Sequence, residues 1–224
     1  MTEKLENLNK TIINCKKCKR LVDFRKKIAH EKTKRFKNEN YWGKPITGFG
    51  DLEAKVMFVG LAPAAHGGNR TGRVFTGDKS ADFLFKCLFK IGYSNQPNSE
   101  NVNDGLKLIN AYLTTALKCV PPQDKPTPVE LKNCFNFFSK EIYELNSIKI
   151  VVCLGKIAFD TCVKSLNLKN FGFKFKHGQI NKISSSFYIA SSYHPSPRNV
   201  NTGRLTEESM LNFLKKLRDL EDHI

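Results

Sequence analysis

The chain reads as an α/β protein of three layers, with helices on both faces of a central four-stranded parallel sheet. Three observations predict this. Short apolar, β-branched runs alternate with segments of helical periodicity. Several of the runs lead into polar loops rich in glycine or proline, which is where open parallel sheets bind ligands. No repeat or low-complexity tract interrupts the alternation. A length of 224 residues suits one domain, 1–224, opened by a cysteine-bearing helical segment over about 1–40.

In chain order, Cys15-Lys-Lys-Cys18 opens the ordered part, and the basic stretch from Arg20 to Asn38 reads as a helix with a solvated or phosphate-facing side. Lys55 to Gly60 is the first strand. An eighteen-residue loop follows, Leu61 to Asp78, with four glycines, one proline and nothing that looks like core. The next helix has apolar positions Leu84, Cys87, Leu88 and Ile91 and a C-cap at Gly92. Asn110 to Cys119 reads as the second strand. Thr127, Pro128 and Glu130 form a capping box that starts another helix. Lys149 to Gly155 is the third strand, a helix through Ile157, Phe159 and Val163 follows, and Phe187 to Tyr193 is the fourth. Thr206 caps a last amphipathic helix carrying Met210, Phe213, Leu214, Leu217 and Leu220.

Lys and Arg number 37 against 21 Asp and Glu, a formal net charge of +16 that points to a polyanionic partner. No apolar run is long enough to span a membrane and the amino terminus is charged throughout, so a cytoplasmic protein without a membrane partner is expected. Seven cysteines, an odd count, argue for metal ligands and buried thiols rather than disulfides. Cys15 and Cys18 have a metal-binding spacing, with Cys119 and Cys134 as candidate completing ligands beside turn or capping elements. Cys87, Cys153 and Cys162 sit in apolar runs and belong in the core. Four thiolates suit zinc or an iron-sulfur cluster, and ligand type does not choose between them.

Two loops at strand ends hold the polar candidates: His66, Asn69, Arg70, Arg73, Thr76 and Asp78 in the first, His194, Ser196, Arg198 and Asn199 in the second. In a doubly wound sheet these loops meet over the carboxyl edge, so Asp78 and His194 are expected to face one cleft. By residue type alone, Asp78 is more readily an N-cap for the helix after it than a catalytic group.

The strings GFGDLEAKVMFVGLAPAAHGGNRTGRVFTGD and YHPSPRNVNTGRLT, with YWGKP, CVPPQDKPTP and the four cysteines in order, resemble the uracil-DNA glycosylase superfamily in its family 5, the UDGb type. The resemblance covers nearly the whole chain. It implies a three-layer fold on a four-stranded parallel sheet, a 4Fe-4S cluster on Cys15, Cys18, Cys119 and Cys134, and hydrolysis of the N-glycosidic bond of deaminated bases in DNA. Asp78 would be the carboxylate of the water-activating loop and His194 the histidine of the second motif. Phe75 would stack on the flipped base, in a pocket shared with Gly60, Ala62 and Thr115. Asn69, Arg70, Ser196, Arg198 and Asn199 would meet DNA, Arg198 and its neighbours supplying a wedge. Thr115 stands where family 4 relatives carry an asparagine that reads uracil, so a range reaching hypoxanthine and xanthine is expected. Leu61 and Ala62 replace the polar or acidic residue that families 1 and 4 place after the strand, and Asp124 replaces an asparagine common in family 5. The alternatives are a strictly uracil-selective enzyme like family 4 and a non-catalytic iron-sulfur module that binds DNA. A monomer is expected, and contact with a sliding clamp is left open.

Overall fold

This computed structural model describes residues 3–224. Six strands form one sheet: β1 (Phe49–Gly50), β2 (Val56–Gly60), β3 (Ala111–Thr115), β4 (Ile150–Leu154), β5 (Gln179–Lys182) and β6 (Tyr188–Ser192). Their order is β1-β3-β2-β4-β6-β5. The four central strands are mutually parallel, as the sequence predicts, and the outer two, β1 and β5, pair antiparallel. These edge strands were not foreseen, because two residues in one and the polar run QINK in the other carry no apolar periodicity.

The helices are α1 (Glu3–Ile13), α2 (Lys19–Glu31), α3 (Gly68–Thr71), α4 (Lys79–Ile91), α5 (Pro128–Glu144), α6 (Lys156–Ser165), α7 (Pro197–Asn201) and α8 (Glu207–Glu221). Alternation along the strands assigns the layers, since successive side chains leave opposite faces. Val56 and Phe58 of β2 pack with α4 and α8, while Met57 and Val59 pack with α1, α5 and α6. Cys87, Cys153 and Cys162 are fully buried in these cores, as expected.

The caps follow their residues. Thr127 and Glu130 make the reciprocal capping box of α5, and Gly92 takes the left-handed conformation that closes α4. Thr206 caps α8, with Ser209 in the reciprocal position. The second strand is shorter than expected. It ends at Thr115, yet Ala116 and Leu117 still donate to the carbonyls of Gly60 and Leu61, so the β3 segment remains tied to the start of the long loop.

Candidate active site

Because the central strands are parallel, the Leu61–Asp78 loop after β2 and the His194 segment after β6 rise from the same edge of the sheet, flanking the end of β4. The first loop is not the core-free segment its composition suggested. Val74 and Thr76 are buried, and three polar side chains pin the loop from within. Asn69 donates from Nδ2 to the Arg25 carbonyl at 3.3 Å. Arg70 donates to the carbonyls of His66 and Gly77, pairs with Glu39 and stacks over Phe36. Arg73 makes a two-pronged pair with Asp104 and also donates to Thr76 and Ser99. Burial works to raise the Asp104 carboxyl, but Arg73 and the amides of Leu106, Glu100 and Asn101 outweigh it and hold it at about 2. Asn69 and Arg70, expected at the DNA surface, therefore turn inward and hold the loop's shape.

At the end of this rigid loop Asp78 does both things its residue type allows. Oδ1 accepts from the backbone N–H groups of Ser80 and Ala81 at 2.9 and 3.1 Å, capping α4. Oδ2 has no hydrogen-bond partner among the described residues and lies against the backbone of Gly67. Burial raises the Asp78 pKa, and the two capping bonds pull it back. The carboxylate lines a cleft with His66, Arg35, Ser99 and Asp124. His66 is fixed there by the Tyr41 hydroxyl, 2.9 Å from Nδ1, an arrangement the sequence did not reveal.

His194 is held by its surroundings. Asn199 donates from Nδ2 to the His194 carbonyl at 2.9 Å, and the bare Gly155, with φ of +99°, lets the end of β4 lie against the His194 Cβ. Burial lowers the His194 pKa to about 4, so the imidazole is neutral at physiological pH. Its ring stacks on Phe75, with centroids 6.1 Å apart and planes 30° apart. Phe75 is 8% exposed, and its ring edge fills the space a side chain at Gly60 would need. Thus Phe75 carries the imidazole in this state instead of presenting an open platform. Thr115, buried, pairs with Gly60 across β3 and β2.

Asp78 and His194 were expected in one cleft, and here the structure differs. His194 lines a separate depression of about 520 Å³ with Leu61, Lys156, Tyr193, Asn199 and Arg204, within the roughly 300–1,000 Å³ of ligand sites. The long loop contributes to both, Leu61 to the one and Ala64 to Gly67 to the other. Phe75, three residues before Asp78, supplies the link to His194. Arg204, missed in the sequence, lies over the Tyr193 ring at 4.8 Å. Ala62 is half-buried at the strand end, Ser196 begins α7, and Arg198 is exposed.

Cys15, Cys18, Cys119 and Cys134 come together around one cavity beneath α2 and α5, with Arg25, Lys118 and Asn133. None is in a disulfide. Among the described residues no three His, Cys, Asp or Glu side chains are grouped to hold a metal ion. Burial pushes the thiols of Cys119 and Cys134 up to about 11 and about 12, the first in spite of Arg25 beside it.

Comparison with known proteins fits this architecture. Residues 47–218 match the model of the Uracil DNA glycosylase superfamily. A type-5 uracil-DNA glycosylase of Pyrobaculum aerophilum is 44% identical over 92% of this chain and 88% of its own length. One from Thermus thermophilus is 40% identical over 94% and 95%, and a type-4 uracil-DNA glycosylase of Archaeoglobus fulgidus is 25% identical over 87% and 82%. With the family's match spanning strands, loops and α8, and type-5 relatives aligned along nearly their whole length, this chain belongs to the uracil-DNA glycosylase superfamily, in its family 5.

Proposed function

We propose that this protein initiates base excision repair by hydrolysing the N-glycosidic bond of uracil in DNA, and of other deaminated bases such as hypoxanthine and xanthine. The observation that carries the reading is the meeting of the two motif loops at one sheet edge. Phe75 of the first stacks on His194 of the second, and three residues on Asp78 leaves one carboxylate oxygen uncommitted.

A base within a duplex is shielded by its stack, so it must be rotated out at a cost of a few kcal/mol. The +16 charge favours binding of the distorted phosphate backbone. As the bond breaks, positive charge grows on the sugar and negative charge on the base, and groups fixed beforehand against both fragments lower the barrier. The two depressions suit the two fragments. An extruded base entering beside Phe75 meets His194, whose neutral imidazole donates an N–H to a carbonyl oxygen becoming anionic. The sugar and attacking water fall on the Asp78 side, where Oδ2 accepts a proton from water and favours the cationic sugar. Thr115 in place of an amide at the base edge supports the wider substrate range, and Arg198 with its neighbours in the loop and α7 would enter the space the base leaves.

Cys15, Cys18, Cys119 and Cys134 would hold a 4Fe-4S cluster. The side chains are not drawn together as they would be about a single ion, but the donor chemistry, four thiols around one cavity without a carboxylate, suits that group, and N–H groups of Arg25 and Asn133 point at two of the sulfurs. When bound, the cluster would cross-link the N-terminal segment to the β3–α5 connection and to α5.

The test is base release from duplexes containing uracil, hypoxanthine or xanthine by protein assayed for iron, sulfide and zinc. Release from at least the uracil duplex is expected, and no release from any of them defeats the proposal. Uracil alone narrows the range to the selective alternative. Asp78→Ala and His194→Ala should each lose about 10²–10⁴ in rate while still binding DNA; a fully active variant removes that residue from the chemistry. Iron with sulfide supports the cluster, and zinc replaces it.

A further inference from the structure

We propose that Arg25 is the internal counter-charge of the cysteine-bound group, holding it in the protein and raising its reduction potential. This rests on the reading of Cys15, Cys18, Cys119 and Cys134 as cluster ligands.

Arg25 lies on α2, seven residues beyond Cys18, so the helix turns both toward one side. It is 4% exposed. Nη1 donates to the Cys119 sulfur at 2.9 Å and Nη2 to the Cys15 carbonyl at 3.2 Å. Its third donor, Nε, is buried with no partner, and no carboxylate among the described residues pairs with it. The other buried cation at this cavity, Lys118, is already committed to Glu141 and Thr114. A guanidinium shut away from water without an anion is costly, and neutral thiols compensate it poorly. Four thiolates on a cluster carry the missing negative charge.

A second donor points the same way. Asn133 offers Nδ2 to the Cys18 sulfur at 3.3 Å, so two of the four ligands, one from the amino-terminal pair and one from the later pair, have N–H partners. Net charge and hydrogen bonds to sulfur set the potential of such clusters, and partners behind the ligands govern their retention. The reduced cluster is the more negative form, so removing Arg25 must disfavour reduction. Arg25 also accepts from Asn69 through its carbonyl, which joins the cysteine site to the loop ending at Asp78.

The experiment compares native protein with Arg25→Gln, Arg25→Lys and Asn133→Ala, purified without oxygen. Iron and sulfide content, the rate of iron release to a chelator, the midpoint potential followed by visible absorbance, and far-ultraviolet circular dichroism are measured. Arg25→Gln should release iron about 10–100-fold faster and have a more negative midpoint. Arg25→Lys should recover part of both effects, and Asn133→Ala should shift both in the same direction by less. A merely structural strut would leave the midpoint where it is. Native rate and native midpoint in Arg25→Gln overturn the proposal; if that variant does not fold, the same null result in both other variants overturns it. Native protein that holds no iron after reconstitution instead overturns the assignment of the cysteines, and this proposal with it.

Discussion

A single methyl group at Gly67 tests whether the position of the Asp78 carboxylate matters. A Cβ on Gly67 would stand 2.9 Å from the Asp78 Cγ and 3.1 Å from its Cβ, and closer still to Oδ2, where ordinary contact begins at 3.4 Å. Because the Asp78 Cβ is crowded as well, rotating the carboxylate does not clear the methyl. The group must retreat by about 0.5 Å or more, away from the cleft it lines, and misplacements approaching 1 Å can cost about 10²-fold in rate. Gly67→Ala should therefore lower single-turnover uracil excision about 10–100-fold with little change in DNA affinity. The crowding should itself cost about 1–3 kcal/mol of stability and the weakened cap on α4 about 1 kcal/mol more, so Tm should fall by several degrees. Excision within twofold of native, in a variant whose crystal structure shows the carboxylate displaced, would refute the reasoning.

Three other outcomes follow from buried charge. Lys118→Met leaves Glu141 unpaired in the interior, so thermal unfolding should show a loss of about 3–5 kcal/mol, largely restored in the Lys118→Met, Glu141→Leu double variant. His194 in the native protein takes up its proton only near pH 4, whereas the unfolded chain does so near 6.5, so its contribution to stability is present above 6.5 and is lost as pH falls toward 4; His194→Asn should flatten that part of a stability-against-pH curve. Asp104, held at about 2, contributes stability above its ordinary value of 3.8 that is lost as pH falls toward 2, so the deficit of Asp104→Asn in denaturant melts should be largest at neutral pH and shrink across that interval.

Much of this was legible from residues alone where the signal is local. The four parallel strands are β-branched runs, and the caps at Thr127, Gly92 and Thr206 are written within three or four neighbouring positions. The loop from Leu61 to Asp78 was readable as a long loop rising from the carboxyl end of a strand, from its length and its place after β2. Its inward arginines were not, because Glu39 and Asp104, which hold them, lie 31 residues away on either side. The same limit hid the Phe75–His194 stack and the role of Arg25, whose sulfur partner is 94 residues distant. The two edge strands escaped for the opposite reason, being too short or too polar for any period to register.

Glu130 has an obligation beyond its own helix. While one oxygen accepts the Thr127 amide, the pair together grips the Arg20 guanidinium of α2 at 2.8 and 2.6 Å, across 110 residues of chain. The segment carrying Cys15 and Cys18 therefore cannot swing away without loosening the first turn of α5 at Glu130, three residues before Asn133. Amide hydrogen exchange at Thr127 and Glu130 should report that excursion, making the first turn of α5 an internal gauge of whether the amino-terminal arm is docked.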